Sequence, residues 1–182
     1  YLDFTAGWAV NNVGHANPAV ADAVARQAGT LVHTSNQFYT IPQLQLAQLL
    51  VENSCLDRVF FANSGAEANE GAIKLARKYG KLHRNGAYEV ITTWNSFHGR
   101  TLTAITATGN PHYQESFTPL TPGFVHVPFN DLQALKEATT ELTCAVLLEP
   151  VQGEGGVIVP SPDYFPGVRE WCDQKGILLM LD

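Results

Sequence analysis

The chain is poor in the residues that would tie a fold together chemically. Its three cysteines, Cys55, Cys144 and Cys172, are scattered over 182 residues and form no Cys-x-x-Cys pair. An odd, dispersed set argues against a disulfide framework or a cysteine zinc site and points to a reducing compartment. The six histidines show neither His-x-x-x-His nor His-Glu-x-x-His spacing, so no helix-borne metal pair is expected. Positive charge is also scarce. Eleven Lys and Arg stand against 17 Asp and Glu, a net charge of −6, which argues against a nucleic-acid partner. No apolar run approaches the ~20 residues of a membrane-spanning helix, so no membrane partner is expected. The start, Tyr1-Leu-Asp-Phe, has the features of neither a signal peptide nor an Arg-rich transit peptide. A cytoplasmic location follows as the expectation, with mitochondria the alternative for a eukaryotic source.

What is present is an ordinary globular composition, 45% hydrophobic and 15% charged, long enough for a sizeable core. One stretch organises it. Val59 to Ala62 is a short aromatic-rich apolar run and reads as a buried strand. Asn63, Ser64 and Gly65 punctuate the chain, and from Ala66 the spacing becomes helical, with Ala68, Ala72, Leu75, Ala76 and Tyr79 on one face. Acidic residues open this helix and basic residues close it, as the helix dipole favours. A tight turn before a helix start is an anion site, because the first backbone N–H groups have no internal partner. Gly65 and Ala66 offer little side chain to block a phosphate, and Ser64 offers a hydroxyl. The plainer alternative is that Ser64 is only an N-cap and Gly65 only a turn. Neither the Walker pattern nor Gly-x-Gly-x-x-Gly is present.

Around this stretch, units of strand and helix alternate. Residues 1–16 read as loop and turn. Helices are expected over Pro18 to Leu31, with Asn17 as cap, and over Pro42 to Asn53, with Leu46, Leu49 and Leu50 inward. Strands follow at Tyr88–Thr92, Val125–Val127, Cys144–Leu148 and after Gly176. Helices are expected at Leu102–Thr106, Asp131–Ala138 and Tyr164–Lys175, with a Gly- and Pro-rich loop from Gly109 to Gly123. The alternation predicts an α/β fold with a mostly parallel sheet covered on both faces. In such sheets ligands sit at the carboxyl ends of the strands. Asn63-Ser-Gly-Ala, Asn95-Ser-Phe-His-Gly-Arg, Glu149-Pro-Val-Gln-Gly-Glu and Asp182 all fall at such ends, so four polar or small stretches are candidates to converge on one ligand. Because Gly176 to Asp182 reads as a strand of the kind that leads into a loop and a covering helix, the sequence reads as a segment of a longer protein.

The stretches Tyr1-Leu-Asp-Phe, Ala9-Val-Asn, Gly14-His15, Asn63-Ser-Gly-Ala-Glu-Ala-Asn, Ile73-Lys-Leu-Ala-Arg-Lys, Ser96-Phe-His-Gly-Arg-Thr, Phe129-Asn-Asp, Leu148-Glu-Pro-Val-Gln-Gly-Glu-Gly-Gly and Gly176-Ile-Leu-Leu carry a resemblance. The sequence resembles the subgroup III aminotransferases dependent on pyridoxal 5′-phosphate, within them the acetylornithine aminotransferase group. The resemblance implies the large domain of the fold-type I transferases, a three-layer α/β architecture. It divides the chain into an N-terminal segment, 1–40, and the first part of the cofactor-binding domain, 41–182. It implies that Ser64, Gly65 and Ala66 hold the cofactor phosphate, that Phe97 stacks on the pyridine ring, and that Asp182 is the catalytic carboxylate paired with the ring nitrogen. His98 becomes a pocket-wall residue and Glu149 a neighbour of the cofactor. Arg100 would clamp the substrate carboxylate, Glu154 would face the substrate side chain or pair with an arginine that the family carries near its C-terminus, and Trp8 and Tyr39 would line the side-chain pocket, shared between the subunits of a homodimer. The Schiff-base lysine of the family lies beyond Asp182, and none of the lysines here fits, so residues 1–182 alone are expected to be inactive.

The implied reaction moves the terminal amino group of N-acetylornithine to 2-oxoglutarate, an amino donor and a 2-oxo acid exchanging in turn. Ornithine, succinylornithine and 4-aminobutyrate are the alternative donors. Trp8 stands where many acetylornithine enzymes carry a smaller aliphatic residue and ornithine enzymes a tyrosine, which leaves the donor open. Two readings of other classes remain: a truncated chain that serves only as a binding or structural partner, and a nucleotide-binding α/β domain.

Overall fold

The computed structural model describes residues 1–182. The chain forms two compact units, Tyr1–Phe60 and Phe61–Asp182. In the first, Ala6–Ala9 (α1) is a single turn in which all four residues have positive φ, so it coils left-handed. Asp3 sits at its start and accepts hydrogen bonds from the Thr5 and Ala6 N–H groups, both at 2.9 Å, and lies 2.7 Å from His15 Nε2. The His15 contact, then the two N–H groups, hold the Asp3 carboxyl down at about 2. Helix α2, Pro18–Ala28, begins as its sequence predicts. Asn17 accepts from the Ala19 N–H, and Pro18 occupies the first helical position.

Helix α3, Ile41–Glu52, also forms where expected, but Leu46, Leu49 and Leu50 are exposed and no residue of the helix is buried. Periodicity groups residues on a face; burial needs a surface to cover that face, and residues 1–60 provide none. The compact division places α3 with the N-terminal unit, although it lies past the sequence-based boundary at 40.

The second unit is a four-stranded parallel sheet with helices on both faces. Its strands are β1 (Glu89–Thr93), β2 (Phe124–Val127), β3 (Thr143–Leu148) and β4 (Leu178–Leu181), in the order β2-β1-β3-β4. Every pairing is parallel. β1 and β3 are the central strands, and their alternating side chains feed two cores. On one face Ile91, Val146 and Leu148 meet Leu135 of α7 (Leu132–Ala138) and Val168 and Cys172 of α8 (Tyr164–Lys175). On the other, Val90, Ala145 and Leu147 meet Ile73 and Ala76 of α4 (Gly65–His83) and Ala107 of α5 (Leu102–Ala107). Strands buried on both sides read as continuous apolar runs, which is why Cys144 to Leu148 was legible. Each fully buried Ile, Val or Leu here contributes roughly 1.5–3 kcal/mol.

Three further expectations are corrected. Val59 to Ala62 is not a strand, and Phe60 is 80% exposed. A strand exists through its ladder, and no segment of this chain pairs with that run. The buried stripe of α4 is Asn69, Ile73, Ala76 and Gly80, rotated by about one residue from the face expected, which leaves Leu75 exposed. The supposed loop 109–123 contains a short helix, α6 (Pro111–Gln114), and a 3-10 turn over Glu115–Phe117.

Candidate functional site

The site is built at the carboxyl ends of β1, β3 and β4, against the N-terminus of α4. Ser64 caps that helix: its backbone is extended and its Oγ accepts from the Glu67 N–H at 3.2 Å. Glu67 reaches back to the Asn63 N–H at 2.7 Å, so the entry turn is held from both directions. The Gly65 and Ala66 N–H groups make no hydrogen bond within the protein. Nothing lies within 4 Å of where a Gly65 side chain would begin, so open space borders that backbone.

The loop after β1 closes onto this helix start. Gly99 has φ of +123°, and a Cβ there would come within 2.7 Å of Ala66 Cβ. Only glycine permits both the conformation and the approach. Next to it, the Phe97 N–H donates to Glu149 Oε2 at 3.1 Å, and the Gly153 N–H donates to Glu149 Oε1 at 3.3 Å. Glu149, at the end of β3, thereby ties two loops to the sheet. Burial pushes its carboxyl up from the usual range, and the two N–H donors only partly oppose this.

Asp182, directly after β4, is the third corner. His98, fully buried, places Nδ1 2.7 Å from Asp182 Oδ2 and Nε2 3.1 Å from Thr92 Oγ1. Asn69, in the second turn of α4, donates to the same Oδ2 at 2.9 Å and to the His98 carbonyl at 2.8 Å. Burial by itself would raise the Asp182 carboxyl. The hydrogen bonds from His98 and Asn69, with the His98 charge, outweigh it and hold the carboxyl below its ordinary value. Asp182 is therefore an anion at neutral pH and an acceptor towards its neighbours. Its other oxygen, Oδ1, makes no hydrogen bond to the protein.

Gly65, Ala66, Phe97, His98, Glu149 and Asp182, with Asn69 and Gly99, line one cavity of about 180 Å³. Three of the four stretches singled out in the sequence thus meet the fourth, Asp182. Arg100 stands outside the cavity lining, exposed, with its guanidinium 4.5 Å over the Tyr113 ring and 5.5 Å from the Phe97 ring. Glu154 is exposed and makes no hydrogen bond. Trp8 and Tyr39 belong to the other unit, where they are 82% and 88% exposed. His98, expected only as a wall residue, also proves to be a hydrogen-bond partner of Asp182. Asn69, Thr92 and Tyr113 were not anticipated. Asn69 alone left a trace in the sequence, as a polar residue on the stripe of a helix whose next members are Ile73 and Ala76.

An exposed helix N-terminus, an aromatic ring and a fixed carboxylate around one cavity at the strand ends of a parallel α/β sheet suit a flat, phosphorylated heteroaromatic ligand. Known proteins agree. The family model described as aminotransferase class-III matches residues 1–182, and the chain belongs to that family. The acetylornithine aminotransferase of Methanocaldococcus jannaschii is 60% identical over 184 residues, and that of Gloeobacter violaceus 55% over 183; the match covers 100% of this chain and 46% of each relative. The chain thus spans less than half the length of the curated relatives it matches. Among solved structures, the ornithine aminotransferase of Toxoplasma gondii superposes with a TM-score of 0.94 at 38% identity, covering 100% of this chain and 44% of that one. N-acetylornithine aminotransferase of Stenotrophomonas maltophilia gives 0.83 at 41% identity, covering 100% and 45%. Class-III aminotransferases use pyridoxal 5′-phosphate. The residues present fit it: unpaired N–H groups at a helix start for a phosphate, and an ionised Asp182 with one free oxygen for a protonated ring nitrogen. No helix of the chain is long and apolar enough to cross a membrane.

Proposed function

We propose that the whole protein is a transaminase that moves the terminal amino group of N-acetylornithine to 2-oxoglutarate. The observation that carries the reading is the pairing, in one cavity, of the open α4 N-terminus with the ionised Asp182 carboxylate. Two charges of opposite sign are thereby provided for, a phosphate at one end and a protonated ring nitrogen at the other. When bound, pyridoxal 5′-phosphate supplies an electron sink for the negative charge that develops on the carbon that loses its proton. The protein's part is binding and orientation. Gly65 and Ala66 N–H groups, with the Ser64 hydroxyl, hold the phosphate. Phe97 covers the ring. Asp182 keeps the ring nitrogen protonated, and Glu149 fixes the loop that carries Phe97.

Arg100 clamps the substrate carboxylate, for which a planar guanidinium is suited, and leaves its resting place over Tyr113 to do so. Glu154, Trp8 and Tyr39 shape the side-chain pocket in a homodimer. The N-terminal unit, in which no residue is buried, favours an assembled form. Acetylornithine is preferred as donor because the relatives named for it reach 60% identity, whereas the ornithine aminotransferase of Toxoplasma gondii stands at 38%. The test is a panel of N-acetylornithine, ornithine, N-succinylornithine and 4-aminobutyrate with the whole protein. The highest kcat/KM for N-acetylornithine is expected, and a clear preference for another donor refutes the assignment.

A further inference from the structure

We infer that Asn69 is a positioning residue for Asp182: with His98 it saturates Oδ2 and so presents Oδ1 alone to the cavity. This rests on the reading of Asp182 as the partner of the cofactor's ring nitrogen. Asn69 is 6% exposed and sits inside a helix, where asparagine is a poor former. Its amide has two N–H donors, and both are spent on the site. One goes to the His98 carbonyl at 2.8 Å and the other to Asp182 Oδ2 at 2.9 Å. His98 Nδ1 approaches that same oxygen at 2.7 Å.

An oxygen of a carboxylate has two lone pairs, so Oδ2 is fully occupied. Two donors converging on one oxygen from different elements, α4 and the loop after β1, fix the plane of the carboxylate as well as its place. Oδ1 then has a single direction to face. Asn69 also sets a length. It lies four residues beyond Gly65 on one helix, a rise of about 6 Å. The end of α4 that meets a phosphate and the residue that holds the ring-nitrogen carboxylate are therefore parts of one rigid rod. Neither can shift along the cavity without the other.

The test compares pyridoxal 5′-phosphate with 1-deazapyridoxal 5′-phosphate, which has C–H in place of the ring nitrogen. Dissociation constants of both are measured for the whole protein, for Asp182→Ala and for Asn69→Leu, with folding followed by circular dichroism and thermal melting. The parent should prefer the natural cofactor, and Asp182→Ala should abolish that preference. Asn69→Leu should reduce the preference roughly tenfold, the scale of a lost hydrogen bond to a charged group. A purely structural Asn69 would weaken both compounds alike and leave their ratio at the parental value, which overturns the proposal. If Asp182→Ala itself keeps the preference, the ring-nitrogen reading falls and the Asn69 proposal with it. Should Asn69→Leu not fold, Asn69→Ala carries the same comparison. Asn69→Asp adds a second readout: a like charge beside Oδ2 should move the acid limb of the kcat profile to higher pH, and an unmoved limb counts against the proposal.

Discussion

Gly99 rests directly on Ala66, so close that a Cβ on the glycine would lie 2.7 Å from the alanine Cβ and 3.1 Å from its Cα. Through this approach the loop after β1, bearing Phe97 and His98, is seated on the helix start whose N–H groups face the cavity. Gly99→Ala should therefore damage fold and site together. An L-residue at φ of +123° is strained, and the overpacked contact adds to it, for a total of about 2–4 kcal/mol. Urea unfolding of the whole protein measures this; a midpoint equal to the parent's would show that the loop can move away at no cost.

Glu149 gives a pH-dependent prediction. Burial raises its carboxyl above the 4.5 of an exposed glutamate, so the folded state holds the proton more tightly than the unfolded chain. Its contribution to stability is then greatest at low pH and is lost as pH rises from the unfolded value through the folded one. Glu149→Gln removes that dependence while keeping one acceptor for the Phe97 N–H. The melting temperature of the variant relative to the parent should rise with pH across the acid range. A difference that is flat or falls with pH contradicts the assignment of burial as the dominant cause.

Much of this architecture was legible beforehand. Tyr164–Lys175 is a helix over the residues expected, Asp131 caps α7 through the Ala134 N–H, β1 to β3 lie within one residue of their predicted bounds, and β4 begins two residues later than expected. Local chemistry writes these features: caps, glycine stops and unbroken apolar runs. The misses depend on partners. Val59 to Ala62 has strand composition but no neighbouring strand. The stripe of α4 was misplaced because its small residues, Ala68, Ala72 and Ala76, mark no face clearly, and the sheet settles on Ile73 and Gly80 instead. Gly80 fits there because a Cβ would collide with the Ala87 carbonyl. The bond between Asn69 and Asp182 spans 113 positions, a distance that no local pattern records.

Arg100 separates a substrate clamp from a scaffold role. Its guanidinium is exposed and rests on Tyr113 and Phe97, so it is free to turn to a carboxylate. Arg100→Lys keeps the charge and loses the bidentate geometry. The kcat/KM for N-acetylornithine should fall roughly ten- to a hundredfold, about 1.5–3 kcal/mol, while a donor amine without a carboxylate is little affected. Equal losses for both donors would leave Arg100 a structural residue.

The most direct test is single-turnover amino transfer by the whole protein and its Asp182→Ala variant, each loaded with pyridoxal 5′-phosphate and mixed with N-acetylornithine. Asp182 is hydrogen-bonded only through side chains of Asn69 and His98 and one backbone N–H, so the variant should fold. It should be destabilised by only about 1–3 kcal/mol, the cost of leaving the Asn69 and His98 donors without Oδ2, while the rate drops on the order of a hundred- to a thousandfold as the ring nitrogen loses its anionic partner. A variant that folds, binds the cofactor and transfers the amino group at the parental rate would contradict the central claim that Asp182 and the α4 N-terminus together form the cofactor site.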